Sequence, residues 1–267
     1  MKGFSKVFGI FISLLLAMSL SACASDAPSG SEGPDYADDE VMASIAQGLE
    51  NRFDTADAQD AAGAEVNAEY YANVINEELD QVLPYRDRQF EDSDLQEAVL
   101  SYANILEDSL ELTETYPVDS IEFLDEWTAL YNERTVPLQQ FVNDYHLTVD
   151  EAHQDTLDEL LVNANAVTQR TQTEDAVNAL AGSITFEQQD DGYGSYTYIA
   201  TVENTSGINF GSFGLVLALY DDDGVRVEET YASVSSWAAG ETVRFEAYGT
   251  TGATQIKVSV DYYEVEE

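Results

Sequence analysis

The sequence has 267 residues, of which 52 are Asp or Glu and 10 are Lys or Arg, for a formal net charge of −42 at pH 7. So large an acidic excess excludes nucleic acid and anionic phospholipid headgroups as partners, because both need clustered Lys or Arg. The single cysteine, Cys23, leaves no disulfide within the chain and no Cys-based metal site.

Met1 to Lys6 is a short basic segment, and Val7 to Leu20 is apolar and uncharged. Leu20-Ser21-Ala22-Cys23 then places small residues directly before the cysteine. This order of charge, apolar run and small-residue site is that of a cleavable secretory signal. The apolar run is shorter than the roughly 20 residues a membrane-spanning helix needs. Leu20 to Cys23 resembles the lipobox of bacterial lipoproteins. That resemblance implies removal of residues 1–22 and diacylglycerol on the Cys23 sulfur, hence a protein held on the outer face of a cell membrane. Two acyl chains give a stable anchor where one does not. Residues 23–40 are rich in Ala, Ser, Gly, Pro and Asp, have little to bury, and are expected to form a disordered tether.

Residues 41–182 read as an up-and-down helical bundle. Val41, Ile45, Leu49 and Phe53 recur every four residues, which lines one helix face. Val66, Tyr70, Val74, Leu79 and Val82 form a second stripe, ended by Pro84. A third helix starts near Ser93, with Gln96 as its capping-box partner, and carries Val99, Tyr102, Ile105, Leu106 and Leu110. A fourth stripe is Ile121, Leu124, Trp127, Leu130 and Tyr131, with a kink or restart expected at Pro137 before Leu138, Phe141 and Tyr145. A fifth helix starts at Thr148 with Glu151 completing the capping box. Its face is Leu157, Leu160, Leu161, Ala164, Val167 and Val177, weakened by polar residues 168–175. Amphipathic helices joined by short connections bury their stripes against antiparallel neighbours.

After Gly182 the period changes to two. Ser195–Val202, Gly214–Tyr220, Val225–Val234, Thr242–Tyr248 and Gln255–Val265 are rich in β-formers. Gly- and Asp-rich turns separate them, among them Asp190-Asp191-Gly192 and Asp221-Asp222-Asp223-Gly224. Residues 183–267 are therefore expected to form a small β-sandwich, giving an α+β chain. Leu217-Ala218-Leu219-Tyr220-Asp221 followed by Asp223-Gly224, the strand Val202-Glu203-Asn204-Thr205-Ser206, and Ala239-Gly240-Glu241-Thr242-Val243-Arg244-Phe245 resemble the FxLYD domain of bacterial exported proteins. Leu217 stands where that motif has Phe. The resemblance covers residues 184–265 and implies an immunoglobulin-like sandwich that serves as an envelope module, with no activity.

Candidate chemistry is sparse. Asp221-Asp222-Asp223-Gly224 offers carboxylates for Ca²⁺ but lacks the spacing and distal Glu of an EF-hand, so a hairpin turn is the expected reading. His146 and His153 are seven apart and cannot form an i,i+4 metal pair, while Asp150 and His153 could share a face. Glu77-Glu78 could pair as acid and base on paper, but so acidic a chain makes any such pair uninformative. The common hydrolase, nucleotide and zinc signatures are absent from the sequence. No catalytic residue, metal ligand or cofactor is therefore expected, and Cys23 is the one expected site. The leading expectation is a non-enzymatic envelope lipoprotein that binds or scaffolds another envelope component, expected to be a protein, and no nucleic acid. The alternatives are capture of a divalent ion or small solute, or a hydrolase using an unrecognised carboxylate pair.

Overall fold

The computed structural model describes residues 36–266. The signal segment, Cys23 and residues 24–35 of the expected tether lie outside the described residues. The fold is mixed α+β, with five α-helices followed by two three-stranded antiparallel sheets. The helices are α1 (Asp38–Ala62), α2 (Ala68–Val82), α3 (Ser93–Thr115), α4 (Ile121–Tyr145) and α5 (Gln154–Ser183).

Helix starts are set by caps, and several differ from expectation. Residues 38–40, assigned to the tether by composition, are the first turn of α1. Ala37 is fully buried and donates its N–H to the Gln89 carbonyl at 2.9 Å. The Asp38 carboxylate accepts the N–H groups of Glu91 and Asp92, both at 2.9 Å, so tertiary contacts order a segment that has little to bury by itself. Asn67 caps α2 through the Tyr70 N–H at 3.0 Å, which leaves Val66 outside the helix and exposed. Pro84 lies in a 3-10 turn, Leu83–Tyr85, that continues α2. Asp92 rather than Ser93 caps α3, because its carboxylate reaches the N–H groups of Asp94 and Leu95 at 2.8 and 3.1 Å. The Thr148–Glu151 box does not form. Glu151–His153 make a 3-10 turn, and α5 follows it without a side-chain cap.

Leu138 and Phe141 lie inward as expected, but the first half of the fourth stripe is out of phase. Phe123, Arg134, Leu138 and Phe141 face inward along α4, with Trp127 partly buried, while Ile121 and Leu124 are 70% and 50% exposed. Pro137 sits inside a continuous α4, with no restart. The first core gathers Val41, Ile45 and Leu49 of α1, Ile75 and Leu79 of α2, Val99, Tyr102 and Leu106 of α3, Leu138 and Phe141 of α4, and Leu157 of α5.

The strands are β1 (Glu187–Asp190), β2 (Tyr196–Glu203), β3 (Phe210–Tyr220), β4 (Arg226–Val234), β5 (Thr242–Gly249) and β6 (Gln255–Val265), ordered β1-β2-β5 and β4-β3-β6. Alternation decides what is inside. Phe213, Leu215, Leu217 and Leu219 of β3 face Tyr198 and Ala200 of β2 and Phe245 and Ala247 of β5 in a second core. Trp237, in the crossing between sheets, fills the centre with its ring 5.3 Å from Phe213 and 5.2 Å from Phe245. Val177, Leu180 and Ala181 at the end of α5 belong to this second core, so one helix enters both. The inward alternation of Ile256, Val258 and Val260 in β6 breaks at Asp261, where the register against β3 shifts. A bulge of that kind disrupts an edge strand as a template for further pairing.

Candidate functional site

The residues that carried chemical possibilities in the sequence serve local structure. One Asp221 carboxylate oxygen accepts the N–H groups of Asp223 and Val225 at 3.0 and 2.9 Å, and Gly224 closes the hairpin at φ 74°. Asn204, just past the end of β2, is buried and donates to the Ile208 and Trp237 carbonyls at 2.7 and 3.1 Å. His146 caps α4 in the left-handed region at φ 58°. His153 lies 3.1 Å from an Asp54 oxygen, not beside the Asp150 side chain, and its ring packs near Phe53. Among the described residues, no three His, Cys, Asp or Glu side chains come together as metal ligands.

Glu77 and Glu78 part company. Glu77 accepts a hydrogen bond from Thr55 at 3.1 Å toward the surface. Glu78 is fully buried and joins four helices. Arg134 of α4 donates through Nε at 2.9 Å to one of its oxygens and through Nη2 to the other. Tyr102 of α3 donates its hydroxyl, and Arg52 of α1 approaches to 3.2 Å. Burial pushes the Glu78 carboxyl up. The Arg134 and Arg52 guanidiniums and the donated hydrogen bonds outweigh that, so it titrates below its ordinary range. Burial also lowers the Arg52 guanidinium, and the like charge of Arg134 adds to the effect. Arg134 is held firmly charged: burial opposes its charge, but Glu78 overrides it. The Tyr102 hydroxyl is pushed up by burial and by the Glu78 charge. Such a carboxylate stays ionised at neutral pH and makes a poor general acid or base. Its role is to clamp the helices and to fix the rotation of α4.

That rotation also shapes a groove on the surface. With Arg134 turned inward, Glu133, Val136 and Pro137 form one side of a groove between α3, α4 and α5. The groove consists of two adjoining recesses of about 440 and 340 Å³, which share Ser101, Val136 and Pro137. Its apolar surface comes from Ala98 and Ile105 of α3, Val136 and Pro137 of α4, and Val167 of α5. Asp94, Glu97 and Glu133 stand on its rim, and no basic residue lines it. Pro137 has no N–H, so the Glu133 carbonyl loses its usual helical donor at the groove wall. Sequence reasoning missed the groove because its apolar residues come from three separate helices, with no local motif.

No family model, no curated protein and no solved structure matches the chain.

Proposed function

We propose that this chain is a non-enzymatic, lipid-anchored envelope protein that holds another envelope component, with the anchor on Cys23. The sequence Leu20-Ser21-Ala22-Cys23 supports the anchor. The observation that carries the binding reading is the groove of about 440 Å³ beside Pro137, apolar in its floor and accessible from solvent. Apolar recesses with a few polar groups at their margin are where proteins take up ligands. Glu78, the one deeply buried acid among the described residues, is consumed by the helix clamp, which favours binding over acid–base chemistry at that position. The C-terminal module is read as FxLYD-type, a structural envelope module whose Asn204 and Asp221 organise turns.

Two measurements test the two halves of this reading. Cys23→Ser should move the protein from the membrane pellet to the soluble fraction, and a variant that stays in the pellet would place the anchor elsewhere. Immobilised full-length protein should recover a discrete component from envelope extract at about 0.15 M salt, where loose charge attraction is screened beyond about 8 Å. Free protein should compete that recovery away. Recovery at bead background, or recovery that free protein does not reduce, overturns the binding half.

A further inference from the structure

We infer that the groove between α3, α4 and α5 receives a basic amphipathic helix from a partner protein. The inference deepens the binding reading above and rests on it.

Shape supplies the first part of the argument. The floor follows α3 from Asp94 to Ile105. At 1.5 Å per residue that is a track of roughly 16 Å, about three helical turns. A docked helix of that length presents apolar anchors at i, i+4 and i+7 along one face. Ala98 and Ser101 are small, so they let another backbone approach α3 closely. Val136, 39% exposed, is the ridge shared by both recesses and meets the central anchor.

Charge supplies the second part and selects among occupants. The rim is acidic at Asp94, Glu97 and Glu133, on a chain of net charge −42. A second copy would bring the same charge and is repelled. An anionic lipid surface is repelled for the same reason. An apolar helix flanked by Lys or Arg meets complementary charge on both sides, which raises the association rate and excludes acidic competitors.

The test uses the full chain and two synthetic peptides of about 14 residues. One is a Leu/Lys helix with Leu on a single face. The other has the same composition permuted so that no face is apolar. Titration at about 0.15 M salt should show the amphipathic peptide binding at least tenfold more tightly. Val136→Arg should weaken it by about tenfold or more. Ile121→Arg, which adds the same charge on the exposed N-terminal turn of α4, should change it less than twofold. To separate charge from the bulk of Arg at 136, Glu97→Gln combined with Glu133→Gln provides a second variant at exposed positions. It should also weaken the amphipathic peptide, by severalfold. Equal affinity for the two peptides, or indifference to both groove variants, leaves only diffuse attraction to an acidic surface and overturns the inference. A dimer in sedimentation that Val136→Arg dissolves would put a second copy in the groove and overturn it too. Competed recovery of an envelope component by a protein whose groove variants leave peptide affinity unchanged would sink this inference while the binding reading stands.

Discussion

Removing the charge of Glu78 leaves the Arg52 and Arg134 guanidiniums facing one another in the interior with no counter-ion. Breaking a buried pair by deleting one partner costs about 3–5 kcal/mol, so Glu78→Gln should lower unfolding stability by that amount in urea. Arg134→Met should cost nearly as much, since it removes both guanidinium hydrogen bonds and leaves the buried carboxylate only Arg52 and the Tyr102 hydroxyl. Arg52→Met should cost about 1 kcal/mol or less, because Glu78 keeps Arg134 and a like-charge repulsion disappears. Equal losses for the two arginines would show that the charges are shared differently. The pH dependence has a definite sign. The folded Glu78 carboxyl titrates below its unfolded value of about 4.3, so its contribution is complete above that pH and fades as pH falls through the folded value. The stability gap between wild type and Glu78→Gln should therefore be constant from pH 7 to about 5 and narrow below about 4. Spacing distinguishes Glu78 from Glu77: Glu78 lies four residues after Val74 and four before Val82, on the buried face of α2, and the packing of α1 against that face encloses it.

At the level of elements, the close crossing of α1 and α2 depends on Gly48. A Cβ there would lie 3.0 Å from the Glu78 Cα and 3.3 Å from the Glu77 carbonyl oxygen, both backbone atoms that cannot swing aside. Gly→Ala inside a helix ordinarily gains about 0.5–1 kcal/mol, while overpacking costs about 1–3 kcal/mol. Gly48→Ala should therefore be destabilising on balance, by about 1–2 kcal/mol in chemical denaturation. Gly182→Ala, in the last turn of α5 with nothing within 4 Å of its Cβ, should be stabilising by up to about 1 kcal/mol. If both substitutions stabilise, the crossing is looser than the structure has it. The existence of all five helices and the change of period near Gly182 were legible, because each stripe is long and strand alternation is a different rhythm. The phase of the first half of α4 was not, although Leu138 and Phe141 lie inward as read. Its inward face includes Arg134, which an apolar pattern assigns to solvent, so the reading settled on Ile121 and Leu124 instead of Phe123. The start of α3 at Ser93 was legible, but its cap was not, because the neighbouring Asp92 carboxylate reaches the free N–H groups.

Over the whole molecule, the acidic excess works against the compact state. With 52 acidic and 10 basic residues, folding brings like charges together that the unfolded chain holds further apart. Salt shortens the reach of that repulsion from about 30 Å at 0.01 M to about 3 Å at 1 M. The melting temperature should therefore rise with NaCl over that range, by at least about 5 °C, corresponding to roughly 1–2 kcal/mol for a chain of this size. The clamp around Glu78 lies where screening ions do not reach, so the gap between wild type and Glu78→Gln should stay nearly constant while both melting curves move up. A gap that closes with salt would place the clamp in contact with solvent. Replacing NaCl by CaCl₂ at equal ionic strength separates diffuse screening from a discrete ion site. Diffuse screening predicts a modest further rise without saturation. A saturable rise beyond it, abolished by Asp221→Asn, would mark the Asp221–Asp223 turn as an ion site. Because the Asp221 carboxylate already accepts two backbone N–H groups, the expected result is a smooth rise that this substitution does not abolish.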